Sequence, residues 1–118
     1  MTFGGFIHHK RTTLKLTQLE VSESVGISIA YLNLLENDKK TNPSKEIVYK
    51  IAESLELSKE ECYVFLDLHA KANHTVSLDL PEYLMNNDIA RKAVRRAKEA
   101  GNADEEWQNF IDRLNSGK

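Results

Sequence analysis

Asn33 carries a hydrogen-bond donor and an acceptor side by side on one amide, with Ile29, Ala30 and Leu34 as small or apolar neighbours. Such an amide can pair two-fold with the major-groove edge of adenine, and Ile29 or Ala30 can contact a thymine methyl. An uncharged patch at helical spacing is unnecessary for solubility and suits close approach to a base pair. Lys39 and Lys40 follow in the polar loop NDKKTNPS, within reach of flanking phosphates. Gln18 adds donors at the start of a helix, where backbone N–H groups and the dipole also favour an anion. Thr17, Ser28 and Asn37 complete the candidate phosphate contacts. The competing reading of each of these polar residues is a solvated side chain.

Other reactive types offer less. His8 and His9 are adjacent, and His69 stands seven residues after Cys62, but two ligands do not make a metal site. The single Cys62 cannot form an internal disulfide, which fits a reducing compartment. There is no Gly-rich phosphate loop and no nucleophile placed beside a base. The sequence therefore predicts no catalytic residue, no metal and no cofactor, and argues against an enzyme.

The elements that must position Asn33 run from Thr17 to Asn37. Thr17 caps a first helix and Glu20 completes a capping box, with Val21 and Val25 on one edge. Gly26 can take the positive φ that ends a helix. Ser28 caps the next helix, in which Tyr31, Leu32 and Leu35 turn inward and Ile29, Ala30, Asn33 and Leu34 turn outward. Two short helices joined by a Gly-containing turn form the helix-turn-helix, whose second helix reads the DNA major groove.

The rest of the chain supports those helices. Residues 3–13 carry an apolar face, and Ser44 caps a helix with Ile47, Val48, Ile51, Ala52 and Leu55 on one stripe. Ser58 and Glu61 open a further helix towards Ala72. The predicted divisions are a DNA-binding domain over 1–72, a connector over 73–80 and a helical extension over 81–118. Pro81 suits the first turn of a short helix. A basic helix with Ala93, Ala97 and Ala100 follows, ended by Gly101, and Asn102 is expected to cap the last helix. Trp107, Phe110, Ile111 and Leu114 line one side of that last helix.

Composition agrees with an all-α protein, with 41% apolar residues in 118 and a formal net charge of −2. Such a balance does not suit a protein that coats nucleic acid through bulk charge. Residues 1–50 hold seven Lys/Arg against five Asp/Glu, whereas residues 51–118 hold nine against thirteen, so an anion-binding face belongs near the N-terminus. No apolar run spans a membrane and no signal-peptide core is visible, so a cytoplasmic protein is expected.

Residues 3–66 resemble the Cro/phage-repressor class of helix-turn-helix proteins, the XRE family. The matching positions are Arg11, Leu16, Thr17-Gln18, Val21, Gly26-Ile27-Ser28, Tyr31-Leu32, Leu35-Glu36-Asn37, Pro43-Ser44 and Ile51-Ala52-Leu55. The resemblance implies a five-helix lambda-repressor-like domain, followed here by a small C-terminal helical extension. It also implies a salt bridge, expected to be partly buried, from Arg11 to Glu36. Ser22 replaces the usual Ala, and Lys15 and Asp38 stand where the pattern often has Gly, which implies strained positive φ at both.

The expected function is a sequence-specific regulator of transcription, a repressor that binds double-stranded DNA as a homodimer on an inverted repeat. The Trp107, Phe110, Ile111 and Leu114 stripe is the expected dimer interface, with packing on its own chain as the alternative. The basic residues 91–98 are expected to be neutralised by Asp104–Glu106. The competing function is an antitoxin-type component whose C-terminal helices hold a second protein.

Overall fold

The computed structural model describes residues 1–117, which form helices α1 (Phe3–Thr13), α2 (Gln18–Val25), α3 (Ile29–Glu36), α4 (Lys45–Ser54), α5 (Lys59–Ala72), α6 (Pro81–Met85), α7 (Asp88–Ala100) and α8 (Asp104–Ser116). No strand occurs among the described residues, and no described helix is long and apolar enough to cross a membrane. The chain divides into two compact units, residues 1–80 and the part from Pro81 onward.

Short-range chemistry sets the helix starts of the first unit. Thr17 Oγ1 accepts from Glu20 N at 3.0 Å, and the Glu20 carboxylate accepts from Thr17 N at 2.8 Å. Ser58 and Glu61 make the same reciprocal pair at the head of α5, while Ser28 and Ser44 cap α3 and α4. Each cap satisfies an N–H that has no intrahelical partner.

The ends are less ordinary. Gly26 closes α2 at φ 88°, and four non-glycine residues also adopt the left-handed region: Lys15, Asp38, Glu56 and His74. The first two stand where the family resemblance implied strain. Each of the four follows a helix, and the next N–H returns to a carbonyl of the last turn, as Leu16 N does to Arg11 O and Thr75 N to Ala70 O, both at 3.0 Å. This wrap satisfies carbonyls that would otherwise be orphaned, against a conformational cost of about 1–2 kcal/mol at each non-glycine residue.

The helices enclose a single apolar cluster of Phe3, Ile7, Val21, Val25, Leu32, Leu35, Val48, Ile51, Leu55, Phe65 and Leu66. Phe3 and Phe6 stack on Phe65 at ring distances of 5.0 and 5.4 Å, which pins α1 to α5. The head of α1 also crosses the end of α3 closely. A Cβ at Gly4 would lie 2.2 Å from Leu35 O, so only glycine fits there. Asp38 secures the crossing by accepting from Gly4 N at 2.9 Å and from Thr2 Oγ1 at 2.7 Å.

Residues 73–80, the expected connector, fall within the first unit. Asn73 donates to Thr41 O at 2.6 Å, buried Ser77 donates to Asp67, and Leu78 packs against the core.

The second unit is built differently. Asn87 caps α7 and Arg91 reaches back to Leu84 O and Met85 O at 2.7 and 2.6 Å, closing α6. Asn102 does not cap α8. The residue before that helix is Ala103, without a side-chain bond, and Asp104, Glu105 and Glu106 meet the positive end of the dipole instead. Among the described residues two α7 cations pair within α7, Arg91 with Asp88 and Arg96 with Glu99, and none is seen paired with those three acids. No residue of α6, α7 or α8 is buried.

Candidate nucleic-acid interface

The outward face of α3 is built by its inward one. Leu32 and Leu35 are completely buried, and with the helical period this turns Ile29, Ala30, Asn33 and Leu34 to solvent. Ile29 keeps 43% of its surface exposed and Leu34 38%. Ser28 starts the helix and its hydroxyl oxygen holds Tyr31 N at 3.0 Å. Beyond the helix, Lys39 and Lys40 are exposed and have no ion-pair partner among the described residues, although their backbone N–H groups both return to Leu34 O. Thr17 is exposed at the head of α2, its oxygen engaged by Glu20 N.

One buried ion pair holds this face to α1. Arg11 Nε donates to Glu36 Oε2 at 2.6 Å and Arg11 Nη2 to Glu36 Oε1 at 2.9 Å, a two-pronged bridge. Arg11 Nη1 donates to Leu16 O at 2.8 Å, so one guanidinium fixes the α1–α2 turn and the end of α3 together. The pair is more deeply placed than the expected partly buried bridge, with Arg11 9% and Glu36 7% exposed. Burial pushes the Glu36 carboxyl up, but hydrogen bonds from Arg11, His8 and Gln18 outweigh it and hold the group below its ordinary range. The Arg11 guanidinium is held in its charged form chiefly by the same bond.

Two members of this network were not among the residues expected in it. His8 Nδ1 lies 3.1 Å from Glu36 Oε1, and Gln18 Nε2 donates to the same oxygen at 3.2 Å. Gln18, expected at a phosphate, thus has its amide turned to Glu36, while its backbone N–H remains at the open end of α2. A signal for His8 exists in the sequence, since it stands three residues before Arg11 on the same helical face.

Other titratable groups lie away from this face. His69 is buried edge-on against Phe3 at 5.3 Å, both ring nitrogens lack a partner, and burial pushes its pKa down, so it is held neutral. The Cys62 thiol is half-buried and its pKa is raised by burial. Among the described residues no three His, Cys, Asp or Glu side chains gather as a metal site. On α8, Trp107, Phe110, Ile111 and Leu114 are 37%, 47%, 48% and 59% exposed, and Trp107 meets Phe110 edge-on at 6.4 Å.

A capped α2, a glycine turn and an α3 with an exposed uncharged face form a helix-turn-helix of the XRE type, the element of DNA-binding regulators of transcription. Residues 7–62 match the helix-turn-helix family model HTH_3. A solved structure titled the SinR protein/SinI protein complex is similar in fold, with a TM-score of 0.51 and 22% identity over 97% of this chain and 95% of that one. Comparison with curated proteins gives no match.

Proposed function

We propose that this protein is a sequence-specific repressor that binds an inverted repeat in double-stranded DNA as a homodimer, in the cytoplasm of its cell. The observation that carries the reading is the exposed α3 face of Ile29, Ala30, Asn33 and Leu34, followed by the exposed Lys39 and Lys40. In this reading the four α3 residues meet base edges, and Lys39, Lys40, Thr17, Ser28 and the heads of α2 and α3 meet phosphates. One short helix covers only a few base pairs, too few for discrimination against a genome, and two copies on a repeat solve that problem. The exposed stripe of Trp107, Phe110, Ile111 and Leu114 supplies the contact between the copies.

Selection from random duplexes at a stated salt concentration tests the reading. The expected product is a pseudo-palindrome with half-sites about 10 base pairs apart. Asn33→Ala should then weaken the selected site by about 1–3 kcal/mol while leaving random DNA nearly unchanged. Equal losses on both would remove Asn33 from base reading.

A second reading, an antitoxin-type component, gives the α8 stripe to a different protein. The observation favouring it is that the similar solved structure is titled as a complex of two proteins. Sedimentation of the purified chain separates the two: a dimer supports the first, and a monomer that dimerises at no accessible concentration supports the second.

A further inference from the structure

Asn37 ends α3, and its side chain folds back onto Asn33. Asn37 Nδ2 lies 2.9 Å from Asn33 O and 3.3 Å from Asn33 Oδ1. A backbone carbonyl can only accept, so the group of Asn37 facing it is the NH2. The same NH2 lies within 3.3 Å of the Asn33 amide, and the end of the amide that meets it must also accept. The donors therefore fix both side chains: Asn33 Oδ1 faces Asn37, and the Asn33 NH2 turns away from it on the exposed face.

We propose that Asn37 is a positioning residue for base reading, one that sets the Asn33 amide so that α3 offers a donor to the major groove. The base met by Asn33 is then one that offers an acceptor in the major groove, guanine, thymine, or adenine through N7, in preference to cytosine, which offers only its amino group. This rests on the reading of α3 as the DNA-contacting helix.

Two physical points strengthen the assignment. In the free protein both residues are exposed and water competes for the 3.3 Å bond. Against a base edge that water leaves, and a reversed Asn33 amide would set two NH2 groups face to face with no acceptor between them. The second point concerns phosphates. The backbone N–H of Asn37 donates to Asn33 O at 3.1 Å and its NH2 is committed to Asn33. Only Oδ1 remains, an acceptor that repels phosphate oxygens, so the side chain does not serve the phosphate contact expected from sequence.

The experiment is selection from random duplexes, at one salt concentration, with the full chain carrying no change, Asn33→Ala, Asn37→Ala, both changes, or Asn37→Asp. Thermal melting of each variant is recorded alongside. The unchanged protein should select against cytosine at the position whose preference Asn33→Ala abolishes. Asn37→Ala should cut discrimination there about tenfold and leave other positions alone, and the double change should add little. Asn37→Asp is the sharper variant. Its carboxylate can only accept, so Asn33 O repels it, the hold on the Asn33 amide is lost, and the preference at that position should fall at least as far as in Asn37→Ala.

A uniform loss of affinity in Asn37→Ala, with a flatter salt dependence, would restore the phosphate contact and overturn the proposal. A lowered melting temperature with unchanged base preference would leave Asn37 as a helix cap alone and overturn it equally. Cytosine at the Asn33-dependent position of the unchanged protein would overturn this inference and spare the DNA-reading function. No enrichment of any sequence would overturn both.

Discussion

Phe65 and Trp107 are large aromatic residues on amphipathic helices, and the fold treats them in opposite ways. Phe65 has no exposed surface and stacks with Phe3 and Phe6. Trp107 keeps 37% of its surface in solvent, with Phe110 as its ring neighbour at 6.4 Å. The first unit brings α1 and α5 together from distant parts of the sequence and closes a core. In the second, three consecutive helices leave every apolar side chain at least partly open. An apolar stripe states that a helix face needs covering; which surface covers it is decided by the elements that can reach it.

The largest expected effects fall inside the closed unit. Arg11→Ala or Glu36→Ala leaves a buried charge without its partner and should cost about 3–5 kcal/mol, read as a drop in the denaturant midpoint. The same pair predicts the acid limb of stability. The folded Glu36 pKa lies below its ordinary value of 4.5. Its contribution is therefore complete above that pH and is lost as the pH falls through the depressed folded value. His69, also lowered in the fold, adds an earlier loss that begins below its ordinary 6.5. Glu36→Gln should erase the later loss and His69→Leu the earlier one, followed by melting temperature against pH.

Next comes the paired test of the two aromatics. Phe65→Ala should cost the first unit about 3–5 kcal/mol by opening a cavity. Trp107→Ala should leave the melting of that unit unchanged and weaken self-association by about 2 kcal/mol, measured by sedimentation. If Trp107→Ala lowers the melting of the first unit as Phe65→Ala does, the contrast between the units fails. A chain ending at Leu80 should fold and bind DNA weakly.

How much of this was legible beforehand follows the range of each interaction. Thr17 with Glu20, and Ser58 with Glu61, could be read because a capping box is written within four residues. The outward set on α3 could be read because helical period fixes it once Leu32 and Leu35 turn inward. The resemblance pointed to Arg11 and Glu36 but gave no warrant for His8 and Gln18, which reach Glu36 from 28 and 18 residues away. Gln18 has no local pattern that points to Glu36, and His8 has only its place three residues before Arg11 on one helical face. Ala103 in place of Asn102 at the head of α8 shows the converse, since three acids in the first turn can start a helix without a capping side chain. Residues 73–80 lack any helical period, and nothing in that run announces that Ser77 is buried against Asp67.

The smallest expected effect belongs to the exposed lysines. Lys39→Ala and Lys40→Ala should each leave folding intact and flatten the salt dependence of DNA binding by about one unit. An unchanged slope in the double variant would return both lysines to a solvated loop.

The stack of Phe3 on Phe65 also sets a schedule. Synthesis runs from the N-terminus at roughly 5–20 residues per second, so α5 follows α1 out of the ribosome some 3–12 seconds later. Throughout that delay Phe3, Phe6 and Ile7 have no core to enter, and the growing chain carries a sticky first helix. The reading helix α3 is finished earlier than α5, yet the α1–α5 stack beneath it closes only after α5 emerges. A nascent chain stalled before residue 59 should therefore be captured by chaperones, and one stalled after the first unit has cleared the exit should not.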